Sequence, residues 1–239
     1  KNPVATFNRR IVDATADKAV AFKLNLAFYE ELGQPGWAAL QDTADYIHRQ
    51  HPDTLLIADA KRGDIGNTAE KYARAFFEDM PFDAITVSPY MGEDTVIPFL
   101  KYSDKWVIVL ALTSNPSAAD FQMHGAEPLY KAVIKKATGW GPKERVMFVA
   151  GATRAEEFRQ IRELAPGHFL LVPGVGAQGG SLKAVAENGL NASAGLLVNS
   201  SRGIIFAGSE PDFDDKARES ASLLQSRMEN LLVQSGFLV

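Results

Sequence analysis

The sequence predicts a parallel α/β barrel, and three observations carry that prediction. Short, β-rich apolar runs alternate with longer helix-patterned segments along the whole chain. Several runs are apolar almost without interruption, as in Leu55-Leu56-Ile57-Ala58 and Trp106-Val107-Ile108-Val109-Leu110-Ala111, which is how strands buried on both faces read. The length of 239 residues fits one such barrel, typically about 250 residues.

The predicted strands are Ala19–Leu26, Thr54–Ala60, Asp83–Tyr90, Trp106–Thr113, Val146–Ala152, His168–Val175 and Gly195–Ser201. Between them fall the helix patterns Gln34–Gln50, Asn67–Met80, Gly92–Lys101, Ala126–Thr138, Arg154–Leu164 and Gly180–Asn188, with Pro211–Leu232 closing the chain. Within Asn67–Met80 the residues Ala69, Tyr72, Ala73, Phe76 and Phe77 share one stripe, the mark of a helix covering a sheet. The chain opens on another helix pattern, Phe7–Lys18, that feeds the first strand. A (β/α)8 TIM barrel needs eight strands, so the count of seven predicts that the first strand lies upstream of Lys1 and is missing from this chain. An open doubly wound sheet accommodates seven strands equally well, and the count leaves it open. No linker or low-complexity segment divides the sequence, so residues 1–239 are expected to form a single, N-terminally incomplete barrel domain.

Composition removes several classes of function. With 46% hydrophobic and 23% charged residues the chain can build a sizeable core, which excludes general disorder. A net charge of −4, a pI near 5.6 and the lack of a long basic run argue against nucleic acid as a partner. No apolar run approaches the ~18 residues of a membrane span. Absence of cysteine excludes disulfides and thiolate metal sites and fits a reducing, cytoplasmic setting. Of the four histidines only His48 and His51 lie close in sequence, at a helix end before Pro52, which reads as solvated surface rather than as a metal site.

The chemistry concentrates at strand ends. In Asp59-Ala60-Lys61-Arg62-Gly63-Asp64 the first and third residues of the segment project to one face of a strand, while Asp64 falls in the loop before a helix that Asn67 or Thr68 is placed to cap. An ordinary ion pair plus a capping acid is the plain reading. Burying two carboxylates and a lysine costs several kcal/mol per ion unless they satisfy one another, so such a cluster is usually kept for chemistry. Lys23 interrupts the first strand, with Asn25 two residues on, and is placed to neutralise Asp59 from the neighbouring strand.

The loop Pro173-Gly174-Val175-Gly176-Ala177-Gln178-Gly179-Gly180 contains a literal G-x-G-x-x-G, but late in the chain and without the acidic ribose partner of a dinucleotide fold. In a barrel, loops after the last two strands commonly bind phosphate through backbone N–H groups. The final strand ends in Asn199-Ser200-Ser201-Arg202-Gly203, and an arginine there can hold phosphate oxygens with a forked pair of charged hydrogen bonds. The expected ligand is a phosphorylated small molecule.

These residues resemble the orotidine 5′-monophosphate decarboxylase family, in its bacterial branch with the extended motif Asp59-Ala60-Lys61-Arg62-Gly63-Asp64-Ile65-Gly66-Asn67-Thr68. The likeness extends through Phe22–Glu30, Ser88-Pro89-Tyr90-Met91-Gly92, Thr113-Ser114-Asn115-Pro116, Pro173–Gly180 and Asn199–Arg202. It implies a homodimer with shared active sites that converts orotidine 5′-monophosphate to uridine 5′-monophosphate without cofactor or metal. It further implies Lys61 as proton donor to C6 of the pyrimidine, flanked by Asp59 and Lys23, with Asp64 supplied to the partner's site. Ser114 would contact the pyrimidine and Thr68 the nucleotide across the interface; Pro173 and Asn25 would line the substrate, and Gln178, Ser201 and Arg202 would take the phosphate. The family's first strand carries a ribose-binding aspartate, and no matching segment precedes Lys1. Two rivals remain: a metal-dependent sugar-phosphate enzyme on the same barrel, and a nucleotide-binding barrel without catalysis.

Overall fold

The computed structural model describes residues 2–176 and 179–238. Helix α1 (Pro3–Thr15) begins where the Asn2 side chain accepts the N–H groups of Val4 and Ala5, with proline in the first turn where its missing N–H is harmless. A 3-10 turn, Ala16–Lys18, leads to β1 (Ala21–Asn25). There follow α2 (Ala27–Glu30), α3 (Gln34–Gln50), β2 (Leu55–Arg62), α4 (Gly66–Phe77), β3 (Ala84–Val87), α5 (Ile97–Leu100), β4 (Trp106–Leu112), α6 (Ala118–Phe121) and α7 (Leu129–Ala137). The chain continues through β5 (Val146–Ala150), α8 (Phe158–Leu164), β6 (Phe169–Pro173), α9 (Leu182–Gly189), β7 (Leu196–Asn199), α10 (Arg202–Ile205) and α11 (Phe213–Gln234).

All seven predicted strands are present, and the differences lie at their ends. Strand β3 stops at Val87, well short of the predicted Tyr90, because Pro89 has no N–H to give a ladder and the chain turns at Gly92. Strand β2 runs past the predicted Ala60 to Arg62. Helices α2, α6 and α10 have four residues each, too few to show a period in sequence. Neither Asn67 nor Thr68 caps α4, which is a correction. Gly66 enters the helix at φ +58, so Ile65 takes the cap position and both polar residues fall inside the first turn.

The strands are all parallel and hydrogen-bonded in the order β1-β2-β3-β4-β5-β6-β7, with β1 and β7 at the two edges. A doubly wound sheet reverses its order at a switch point, and this one does not. Side chains alternate across it, so each face has its own core. Leu56, Ala58, Ile85, Val107, Phe148 and Leu170 meet the helices on the outer face, with Phe76, Phe99, Tyr130 and Phe158 packed over them. On the other face Ile57, Ala84, Ile108, Met147, Val149 and Leu171, from β2 to β6, join in one cluster that Ala21 and Leu197 extend to both edges. Residues from five strands can meet that way only if the sheet curls, giving a barrel wall with an apolar floor inside. Among the described residues no helix is long and apolar enough to cross a membrane.

Below the floor, at the strands' N-terminal ends, lies a polar staple. The half-buried Arg162 guanidinium of α8 donates to the carbonyls of Gly189 (2.6 Å), Gly195 (2.7 Å), His168 (2.6 Å) and Ala165 (3.3 Å). His168 beside it packs on Phe148 at 5.4 Å, and neither ring nitrogen has a hydrogen-bond partner among the described residues. Burial, reinforced by the Arg162 charge, holds the His168 imidazole below its ordinary value. The unfolded chain therefore takes up this proton first as pH falls below about 6.5, and stability present above that pH declines until the folded value is reached. His168→Phe is expected to flatten this decline. Urea midpoints at pH 7.5 and 5.5 measure it, and an equal decline in both proteins would assign it to another group.

Candidate active site

Leu55, Ile57 and Asp59 share the inner face of β2, and Ile57 belongs to the apolar floor. Asp59 therefore stands one step above that floor, at the end of the strand where barrels carry their chemistry. On β1 the same alternation carries Ala21 in the floor and Lys23 above it. The two expectations meet here: Lys23 Nζ lies 2.6 Å from Asp59 Oδ2, and Lys61 Nζ lies 2.5 Å from Asp59 Oδ1. Exposure separates the two lysines. The Lys23 and Asp59 side chains are 13% and 10% exposed, whereas Lys61 is 51% exposed and reaches into the open mouth. Burial pushes the Asp59 carboxyl up, but the charges and hydrogen bonds of Lys23 and Lys61 together outweigh it and hold the carboxyl below its usual range. Asp59 is thus a carboxylate at neutral pH, shared by two ammonium groups.

Lys61 owes its direction to an irregularity in the ladder. Ala58 pairs with Ile85 and Arg62 with Val87, so Asp59, Ala60 and Lys61 all stand opposite the single residue Thr86. The bulge turns Lys61 into the left-handed region at φ +48, a conformation that costs a side-chain-bearing residue about 1 kcal/mol or more. Thr86 is buried; its hydroxyl accepts the Lys61 N–H at 2.9 Å and donates to Asp59 Oδ1 at 3.1 Å. Sequence reading missed Thr86, since threonine is an ordinary strand former. The one available signal was parity: Thr86 lies two residues beyond Ala84 and shares its inner face. Arg62, the last residue of β2, pins the same turn by pairing with Glu30 and lying over the rings of Tyr72 and Phe76.

The third member of the predicted cluster does not join it. Asp64 Oδ1 accepts the Ile65 N–H at 2.8 Å, and no bond links Asp64 to Lys61 among the described residues. Asn25 pairs with Asp59 across the sheet, and its side chain takes the Ala27 N–H at 3.3 Å. Thr68 lies exposed in the first turn of α4, on the same rim. Ser114 follows β4, where its carbonyl accepts the Thr153 hydroxyl at 3.0 Å. Gly151 makes that approach possible, because a Cβ there would come within 2.6 Å of the Ser114 nitrogen.

Pro173 ends β6 and pairs with Asn199 of β7, so the loops after the last two strands leave the sheet side by side. Gly174 and Gly176 take φ +93 and +73, and the loop is closed by Gly180 N–H to the Gly174 carbonyl (3.1 Å) and Gly176 N–H to the Gly180 carbonyl (3.0 Å). Gln178 lies outside the described residues. Ser201 is the cap residue of α10, and Arg202, its first residue, is exposed. Among the described residues no group of three or more His, Cys, Asp or Glu is placed to hold a metal ion.

A curled parallel sheet with its ionic cluster at the C-terminal rim is the architecture of an α/β-barrel enzyme. Residues 5–212 match the model of the orotidine 5′-phosphate decarboxylase / HUMPS family. The chain belongs to that family. It is 52% identical over 234 residues to an orotidine 5′-phosphate decarboxylase of Bacteroides fragilis, covering 97% of this chain and 85% of that protein. The corresponding protein of Parabacteroides distasonis is 53% identical over 241 residues, covering 100% of this chain and 86% of its own. Among solved structures, the OMP decarboxylase of Leishmania donovani superposes with a TM-score of 0.86 at 38% identity, covering 95% of this chain and 87% of that one. UMP synthase of the same organism gives 0.87 at 40% identity; the match covers 95% of this chain but only 49% of the synthase.

Proposed function

We propose that this chain decarboxylates orotidine 5′-monophosphate to uridine 5′-monophosphate and CO2, the last step of de novo pyrimidine nucleotide synthesis. The observation that carries the reading is the Lys23–Asp59–Lys61 array at the barrel rim of a chain about half identical to named decarboxylases. Breaking the C6–CO2 bond leaves an electron pair on C6, and stabilising it calls for positive charge fixed in advance. Lys61 is the exposed end of the array. Its ammonium faces the developing charge and then gives C6 a proton, while Asp59 and Lys23, buried and bonded to each other, hold it in place. Asn25 and Pro173 line the substrate, Ser114 contacts the pyrimidine, and Gln178, Ser201 and Arg202 hold the phosphate.

A homodimer completes the site in this reading. Asp64 is bonded to the Ile65 N–H and not to its own Lys61 among the described residues, and Ile65, Tyr90 and Met91, in the loops after β2 and β3, are apolar and exposed, Tyr90 by 85%. A second chain covering that rim would bury them and bring Asp64 and Thr68 to the neighbouring site. We place the reaction in the cytoplasm, whose reducing setting suits a chain without cysteine.

Loss of orotate absorbance on incubation with orotidine 5′-monophosphate tests the function. Turnover that persists in a chelator is expected; tight binding of uridine 5′-monophosphate with no absorbance change would leave only a binding protein. Arg202→Ala should lower kcat/KM by about 10- to 100-fold, the scale of a lost charged hydrogen bond. An unchanged kcat/KM would remove Arg202 from the phosphate site.

A further inference from the structure

We propose that Thr86 is a positioning residue for decarboxylation, acting through Lys61 and Asp59 without touching the substrate; this rests on the function proposed above. A regular parallel ladder would give the Lys61 N–H a carbonyl on β3, but the bulge sets three residues of β2 against Thr86 alone. The Thr86 hydroxyl takes the place of that carbonyl, accepting the Lys61 N–H at 2.9 Å. The same oxygen carries one proton, and it goes to Asp59 Oδ1 at 3.1 Å, the carboxylate oxygen that also binds Lys61 Nζ. One hydroxyl therefore closes a small ring: backbone of Lys61, Thr86 Oγ1, Asp59 Oδ1, Nζ of Lys61.

The ring has a specific consequence. Lys61 is held in a left-handed conformation that an unsupported chain would leave, and Thr86 on β3 opposes that relaxation by binding the Lys61 N–H. Moving the backbone at Lys61 swings a long side chain whose ammonium must meet one atom of the substrate. Misplacement by about 1 Å can cost on the order of 100-fold in rate. Because Thr86 is buried at the base of the array, nucleotide binding by the exposed rim is not disturbed by losing its hydroxyl. Thr86 therefore governs kcat rather than affinity.

Thr86→Val, which keeps shape and volume, and Thr86→Ser, which keeps the hydroxyl, separate the alternatives. In Thr86→Val, kcat for orotidine 5′-monophosphate should fall by about 100-fold, with the affinity for uridine 5′-monophosphate within about threefold of wild type; Thr86→Ser should restore most of the loss. Retention of kcat by Thr86→Val overturns the proposal, as does an equal loss in Thr86→Ser, or a loss of nucleotide affinity in step with kcat. Hydrogen exchange of the Lys61 amide gives a readout that does not depend on turnover. Protection in wild type and Thr86→Ser but fast exchange in Thr86→Val is expected, and equal exchange in all three overturns the proposal. Absence of turnover in wild type would instead refute the decarboxylase reading, leaving amide exchange to decide the role of Thr86.

Discussion

Lys61→Ala is expected to lower kcat by about four orders of magnitude while uridine 5′-monophosphate still binds, since the change removes both a proton donor and a fixed charge. The structure gives the expectation its shape. Lys61 is half exposed at the mouth, whereas Lys23 is buried against the other oxygen of Asp59 and cannot reach out to replace it. Truncating Lys61 leaves the Lys23–Asp59 pair intact, so folding and phosphate binding survive. Steady-state kinetics with a product-binding titration on the same preparation checks both halves; residual activity above about one per cent would sink the assigned role. The shared site can be read from the same variant. Mixing it with Asp64→Ala chains under exchange should regenerate roughly a quarter of wild-type sites if Asp64 serves the partner, and none if it serves its own chain.

Arg162→Met should destabilise the chain by about 3–5 kcal/mol, the range found when a buried charged network is broken from one side. The arginine gathers carbonyls from the ends of several segments: Gly189 ends α9, Gly195 precedes β7 and also takes the Leu170 N–H, and His168 and Ala165 lie in the turn before β6. Burial lowers its pKa to about 10, so the group stays charged at neutral pH. Methionine fills much of the space and supplies none of the donors. Denaturant unfolding measures the cost, and a shift below about 1 kcal/mol would show that the four carbonyls find other partners. Specific activity per folded molecule should not change.

What the sequence made legible, and what it hid, follow from distance along the chain. Asp59 and Lys61 announce themselves because two residues on one strand share a face whatever the rest of the fold does. The β3 side of that site was hidden, because Thr86 matters only through the bulge opposite it, and a bulge is set by how two strands pair. Gly66 was read as part of a motif and its φ of +58 went unseen, so the helix start was placed on Asn67 and Thr68. Arg162 looks like any polar residue on a helix until the ends of three other segments come to rest against it. The seven strands themselves were plain because a run such as Val107-Ile108-Val109 has nowhere else to go.

The apolar floor of Ile57, Ala84, Ile108, Met147, Val149 and Leu171 lies between two polar ends with different duties. Above it a lysine is held in an unfavourable backbone conformation; below it the arginine staple ties loop ends together. A dry layer of this kind insulates one from the other, both electrostatically and mechanically. Substitutions that stabilise the lower end can therefore accumulate without a penalty in rate, and loops of the upper end can diverge toward new ligands while the lower end keeps the barrel standing. That division makes the scaffold tolerant of redesign, with Thr86 and Lys61 as the pair that any redesign of the upper rim must leave alone.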